Sequence, residues 1–347
     1  MQLHLNEADR RRWEALLDTE AQNDRVVRLL ARYLNEMPRV LSHRMVRDLA
    51  RDCLIPEENA FRVLFAAAIG LDTSTNAEDR QLEKDYLATG LKQLDPAEWS
   101  GDAYLKTIVF PSARIGNWTF GTETYAAYEP FVRNSPIRTR DGREIQQIGY
   151  FKEPYRFPAV RENGVEWMAV KPNEIATMRE PIAAAHGKVV AFGLGLGYFT
   201  FHVSNKSEVE SVTVVERDPA VIDLFREHLL PQFPHREKIM VVRSDAFDYA
   251  EKVLPVSQPD FAFTDLWHDQ SDGLPLYLHM KRLEALSPKT EFQYWIESVL
   301  LSSLRGMVLD RIRDNGDGDV QSFSEIAFML SEPYLRALAP KIRQINN

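Results

Sequence analysis

Ala191-Phe192-Gly193-Leu194-Gly195-Leu196-Gly197 joins a short apolar run, Lys188 to Phe192, to a segment with helical patterning that follows Gly197. Glycines spaced this way let the backbone turn sharply and approach a ligand that side chains would keep away. Working outward toward the C-terminus, the alternation repeats. Val212 to Val215 predicts a second strand, Pro219 to Leu230 a helix, Ile239 to Val242 a third strand and Phe261 to Thr264 a fourth. A helix from about Glu174 to Ala185, ended by Gly187, precedes the first strand. Strands and helices alternating at this period build βαβ units, a parallel sheet and right-handed crossovers. After Pro275 the patterns are mostly helical, including Ile296 to Ile312 and Glu325 to Leu338.

Upstream the character differs. Residues 105–172 carry two hairpin signals. Ile137 to Arg140 and Arg143 to Gln146 flank Asp141-Gly142, and Phe157 to Arg161 and Val165 to Val170 flank Glu162-Asn163-Gly164. Asp-Gly and Asn-Gly accept the positive φ angles of a type I′ turn, so a small antiparallel sheet is expected, with Trp118, Phe120, Tyr125, Tyr128 and Phe131 in its core. Residues 1–104 read as a bundle of amphipathic helices. Asn6 caps the first, with Trp13, Leu16 and Leu17 on its apolar face; a second carries Val26 to Leu34; Pro56 opens another. The fold class is therefore α/β: a Rossmann-like parallel sheet in residues 173–347, preceded by a helical domain in residues 1–104 and a small β-rich region in residues 105–172.

The 347 residues carry a net charge of −9, with 44% hydrophobic and 27% charged side chains interleaved along the chain. No basic stripe meets the demand of duplex nucleic acid for counterion release, so nucleic acid is not the favoured partner. The single cysteine, Cys53, forms no intramolecular disulfide and rules out a multi-cysteine zinc site; its helical phase places it as a small buried apolar residue. No metal-ligand pattern stands out. His228 and His235 are too far apart for a helical pair, and Asp314 to Asp319 with Glu325 places glycines where a calcium loop needs ligands. The N-terminus lacks the regions of a signal peptide and no apolar run approaches membrane-spanning length, so a cytoplasmic protein without a membrane partner is expected.

The chemistry gathers at the predicted strand ends. A dinucleotide fingerprint requires G-x-G-x-x-G, whereas Tyr198 follows Gly197 and the third glycine comes one residue early, the spacing met in S-adenosylmethionine folds. Glu216 closes the second strand, where a carboxylate can accept both ribose hydroxyls. Asp245-Ala246-Phe247 closes the third, with an acid for the adenine amino group and a ring to pack on the base. Asp265 closes the fourth. In open parallel sheets ligands bind beyond the carboxyl ends of the strands. The competing reading makes each acid a helix cap.

These residues, with Val214 to Pro219, Ser244 to Phe247 and Asp260 to Asp265, resemble the class I methyltransferase fold, and within it the spermidine-synthase-like branch. The resemblance covers residues 173–269. It implies binding of S-adenosylmethionine or its decarboxylated form by Gly193, Gly195, Gly197, Glu216, Asp245, Ala246 and Phe247. Departures bear on the reaction. Aminopropyl-transferring members carry an acid where Leu196 stands and a second acid where His268 stands, and the closing β-hairpin of the fold is not evident after Tyr294. Candidates for the chemistry are Asp265, His268 and Asp269, as base or orienting groups, with Trp267 as a pocket wall. The leading expectation is a methyltransferase acting on a small molecule, with a homodimer among the options. The alternatives are an aminopropyltransferase-like enzyme and a non-catalytic binding protein that kept the fold.

Overall fold

The computed structural model describes residues 5–112, 114–315 and 320–342. The Asp314–Asp319 turn therefore lies largely outside the described residues. The described chain divides into two compact units, one made of residues 5–100 with 123–157, the other of residues 101–122 with the chain from 158 onward. These units cut across the 105–172 stretch, whose residues are shared between them.

The first unit is built on a helix, Glu7–Glu36, capped by Asn6, whose side chain accepts from the Asp9 amide at 2.8 Å. Two helices were expected here; no glycine or proline interrupts the chain before Met37, so one helix runs through. Helices His43–Cys53 and Glu57–Ala68 follow. Tyr33, Val46, Phe61, Phe65 and Tyr86 form a core together with Ile145, Ile148 and Tyr150. The last three come from strand Glu144–Tyr150, which pairs parallel with Leu91–Gln93 and antiparallel with Phe131–Arg138. The parallel partner was not foreseen. Cys53 is exposed, contrary to expectation. It is the last residue of its helix, and the packing against the core ends a turn earlier at Leu49 and Ala50.

In place of one small antiparallel sheet there are two sheets. The second has four strands in the order Arg114–Ile115, Trp118–Tyr125, Tyr155–Glu162, Val165–Ala169. Its last hairpin turns at Asn163 and Gly164, with φ of 51° and 84° as a type I′ turn requires. At the Asp141-Gly142 signal only Gly142 has positive φ, and the loop is longer than two residues.

The second unit is organised by a five-stranded parallel sheet. Its strands, in chain order, are Gly187–Phe192, Val209–Glu216, Ile239–Arg243, Phe261–Thr264 and Glu291–Tyr294. Their spatial order is third, second, first, fourth, fifth. All four pairings are parallel. Val189, Val190, Ala191 and Phe192 are buried, as expected of a central strand covered on both faces. The strand order reverses beside the first strand, the position where such sheets open a crevice at their carboxyl ends. The fifth strand, Glu291-Phe292-Gln293-Tyr294, went unforeseen because its polar alternation does not look like a buried strand. Beyond it the described residues add helices Glu297–Asn315, Phe323–Met329 and Glu332–Leu338 and no further strand; the break between the last two falls at Ser331, before Pro333. The fold is an α/β fold with a Rossmann-like parallel sheet, and no hairpin closes that sheet among the described residues. No helix among them is long and apolar enough to cross a membrane.

Candidate nucleoside site

The three glycines each answer a packing need. Gly193 has φ 98°, and a Cβ there would stand 2.0 Å from the Asp265 carbonyl oxygen. Its amide donates to the Val215 carbonyl at 3.0 Å, so it draws together the ends of the first, second and fourth strands. Gly195, φ 50°, lies against the Met168 thioether. Gly197, φ 74°, faces the rings of Phe225 and Phe233 and starts helix Tyr198–Ser204. Gly193 and Gly195 line a cavity of about 220 Å³ beyond the carboxyl ends of the strands; Gly197 does not line it.

Glu216 is fixed from three sides. One carboxylate oxygen accepts from the Leu194 amide at 3.2 Å, and the other from the Arg217 and Asp218 amides at 2.8 and 2.9 Å. A carboxylate aimed by backbone donors keeps lone pairs for further hydroxyl groups. Asp245 caps helix Ala246–Lys252 through one oxygen, which accepts from Phe247 and Asp248 amides at 2.9 and 3.2 Å, and leaves its second oxygen without such a bond. Ala246 and Phe247 also line the cavity, and Phe247 stacks on His279 with ring centroids 4.3 Å apart. The capping reading thus holds at Asp218 and Asp245, while the Asp245 cap leaves room for a ligand.

The fourth strand end behaves differently. Asp265 lines the cavity, and burial together with the neighbouring Glu174 carboxylate holds its carboxyl well above the usual range. Glu174, in helix Pro172–Ala184, is pushed up to about 7, first by burial, with Lys171 opposing and Glu166 adding to the shift. No local signal marked Glu174; only the fold brings it near Asp265. Two carboxyl groups sharing a poorly solvated site resist ionising together.

His268 reaches the rim. Its ring is edge-on to Trp167 at 3.8 Å, and Nδ1 lies 3.3 Å from the Asp272 carboxylate. Asp269 does not line the cavity. Its carboxylate caps helix Gln270–Glu284, accepting from the Ser271 amide at 2.7 Å, with Asp272 completing a capping box. Trp267 lines the cavity as expected, but it is buried, tight against Gly273, where a Cβ would come within 2.9 Å of its ring. The half-exposed aromatic wall is Trp167, which meets Trp118 edge-to-face at 5.6 Å.

No family model matches this chain, and no curated protein does. Solved structures align with part of this chain. Spermidine synthase from Thermotoga maritima aligns at 15% identity over 44% of this chain and 60% of that protein, with a TM-score of 0.33. Spermidine synthase in complex with the transition-state analogue AdoDATO aligns at 17% over 40% of this chain and 54% of that one, TM-score 0.32. A candidate methyltransferase from Porphyromonas gingivalis W83 aligns at 16% over 36% and 31%, TM-score 0.28. The chain thus spans less than two thirds of each of these proteins.

Proposed function

We propose that the cavity binds S-adenosylmethionine or its decarboxylated form and that the chain is a transferase of the S-adenosylmethionine-dependent class acting on a small-molecule acceptor. The observation that carries this reading is the charge of the lining. Glu162, Glu216, Asp218, Asp245 and Asp265 face the cavity, against Arg217 as the sole lysine or arginine among the described lining residues. Such a surface favours a cationic sulfonium nucleoside and disfavours the diphosphate of a dinucleotide. Glu216 would hold the ribose hydroxyls, Asp245 the adenine amino group, and Ala246 and Phe247 the base.

When bound, the sulfonium supplies a carbon whose bond to sulfur breaks as an acceptor lone pair forms the new bond, leaving a neutral thioether. The residues of this chain manage the proton. Asp265 and Glu174 together hold a proton in the absence of a cation, and an incoming ammonium favours their ionised forms. The ionised carboxylate accepts the proton that an amine acceptor must lose. His268, steadied by Asp272, is the second proton-handling group at the rim. Methyl transfer is the leading reaction. Aminopropyl transfer is the second, because Glu174 provides an acid beside Asp265 where the sequence has Leu196 and His268 in place of acids.

The test incubates the protein with S-adenosylmethionine, or its decarboxylated form, and a panel of amines and polyamines. Release of S-adenosylhomocysteine supports methyl transfer, and release of methylthioadenosine supports aminopropyl transfer. Tight cofactor binding with neither product overturns the transferase reading and leaves a nucleoside-binding protein.

A further inference from the structure

Met168, on strand Val165–Ala169, lies inside the glycine turn. The Leu196 amide donates to its Sδ at 3.1 Å, and a Cβ on Gly195 would stand 2.0 Å from Sδ and 2.3 Å from Cε. The absent side chain at position 195 is therefore the space this thioether fills. Behind it is a second cavity of about 20 Å³. Met168, Gly193, Leu194 and Asp265 line both spaces, while Glu174 lines the inner one alone. The rest of the inner wall is largely apolar, including Val170, Met178 and Phe263. Two carboxylates thus face a space the size of one small group, and among the described residues no hydrogen bond acts on either carboxyl. Glu174 and Asp265 are half-buried, and ionised carboxylates left beside apolar walls without partners are costly.

The thioether is suited to leaving. Sulfur is a weak acceptor, so the Leu196 amide loses little when the bond breaks, and methionine has three rotatable bonds with which to move. We infer that the inner cavity is a subsite for a primary ammonium group, bound between Glu174 and Asp265, and that Met168 is the gate that determines which ligands reach it. This rests on the nucleoside reading for the outer cavity. With Met168 in place, the outer cavity takes a nucleoside with a short uncharged 5′ substituent. A ligand whose chain ends in an ammonium displaces the thioether and places its charge against the two carboxylates. The cost of displacement weakens that ligand in proportion to how rarely the gate stands open.

The test is calorimetry of wild type, Met168→Ala and Glu174→Gln with two probes, methylthioadenosine and decarboxylated S-adenosylmethionine. If the gate is open about a tenth of the time, Met168→Ala tightens the ammonium-bearing probe about tenfold and leaves methylthioadenosine unchanged. Glu174→Gln weakens the ammonium-bearing probe about tenfold and also spares methylthioadenosine. Equal effects on both probes, or none on either, in folded variants would overturn the inference. Thermal shift with propylammonium separates its failure from that of the nucleoside reading. If no nucleoside binds, the inner site stands when propylammonium stabilises Met168→Ala and not Met168→Ala/Glu174→Gln, and it falls when both respond alike.

Discussion

In the unit formed by residues 5–100 and 123–157, the buried side chains of Asn23, Asp79 and Glu129 are met by partners, while the Tyr33 and Tyr150 hydroxyls are buried without one. Asn23 donates to the Gly142 carbonyl at 3.1 Å and accepts from the Tyr86 hydroxyl and the Glu144 amide, each at 2.9 Å. Asp79 accepts from Arg25 at 2.6 Å and from the Asp72 amide at 2.8 Å, and Glu129 from Arg39 and the Ala126 amide. In the other unit, Asp265 and Glu174 have only each other, nearby charges and an apolar wall. Satisfied polar groups give a fold its single arrangement; carboxylates held above their usual range in a cavity mark the place where a ligand is expected to supply what is missing.

The largest effect should come from Asp265→Asn. Under the proposed function it lowers turnover about 10²–10⁴-fold, as loss of a proton acceptor does, while the fold persists. Product assays beside circular dichroism check this, and unchanged turnover would remove Asp265 from the chemistry. Asn23→Ala should do the reverse. It strands the Tyr86 hydroxyl and the Glu144 amide, costs about 1–3 kcal/mol of stability in denaturant titration, and leaves nucleoside affinity as it was. A loss of affinity equal to the loss of stability would break the contrast between the two regions.

Glu174→Gln sharpens the contrast through pH. The folded carboxyl titrates at about 7 against an ordinary 4.5, so the folded state binds its proton more tightly than the unfolded chain. The stability linked to that proton is fully present below pH 4.5 and is lost as pH rises through 7. Wild type should therefore lose more thermal stability than Glu174→Gln between about pH 5 and 8, and the variant should be the more stable at about pH 8. Parallel pH profiles would contradict the raised carboxyl. The smallest effect belongs to Asp269→Ala, which removes a helix cap and costs about 1 kcal/mol without altering nucleoside affinity. Weakened binding in that variant would return Asp269 to the site.

Where local signals decide structure, the sequence was legible. The glycine turn, the acids at strand ends and the Asn163-Gly164 hairpin each act through backbone requirements of a few adjacent residues. Tertiary placement hid the rest. Trp167 and Trp267 carry the same ring and both line the cavity, yet packing against Gly273 buries one while the other stays half-exposed. Asp265 and Asp269 are both acids after the fourth strand, and the start of helix Gln270–Glu284 claims the second. Glu174 looks like an ordinary acid in a helical first turn, and Met168 like a core residue of a hairpin. Their significance depends on facing the same inner space.

The central claim is that the outer cavity holds a sulfonium nucleoside anchored by Glu216. Calorimetry of wild type and Glu216→Ala with S-adenosylmethionine, S-adenosylhomocysteine and a nicotinamide dinucleotide tests it most directly. Wild type should bind one or both of the sulfur nucleosides and not the dinucleotide. A carboxylate accepting two hydroxyls contributes on the order of 1.5–3 kcal/mol, so Glu216→Ala should weaken binding about tenfold or more. Tight binding of the dinucleotide with none of either sulfur nucleoside, or an unchanged dissociation constant in a folded Glu216→Ala variant, would contradict it.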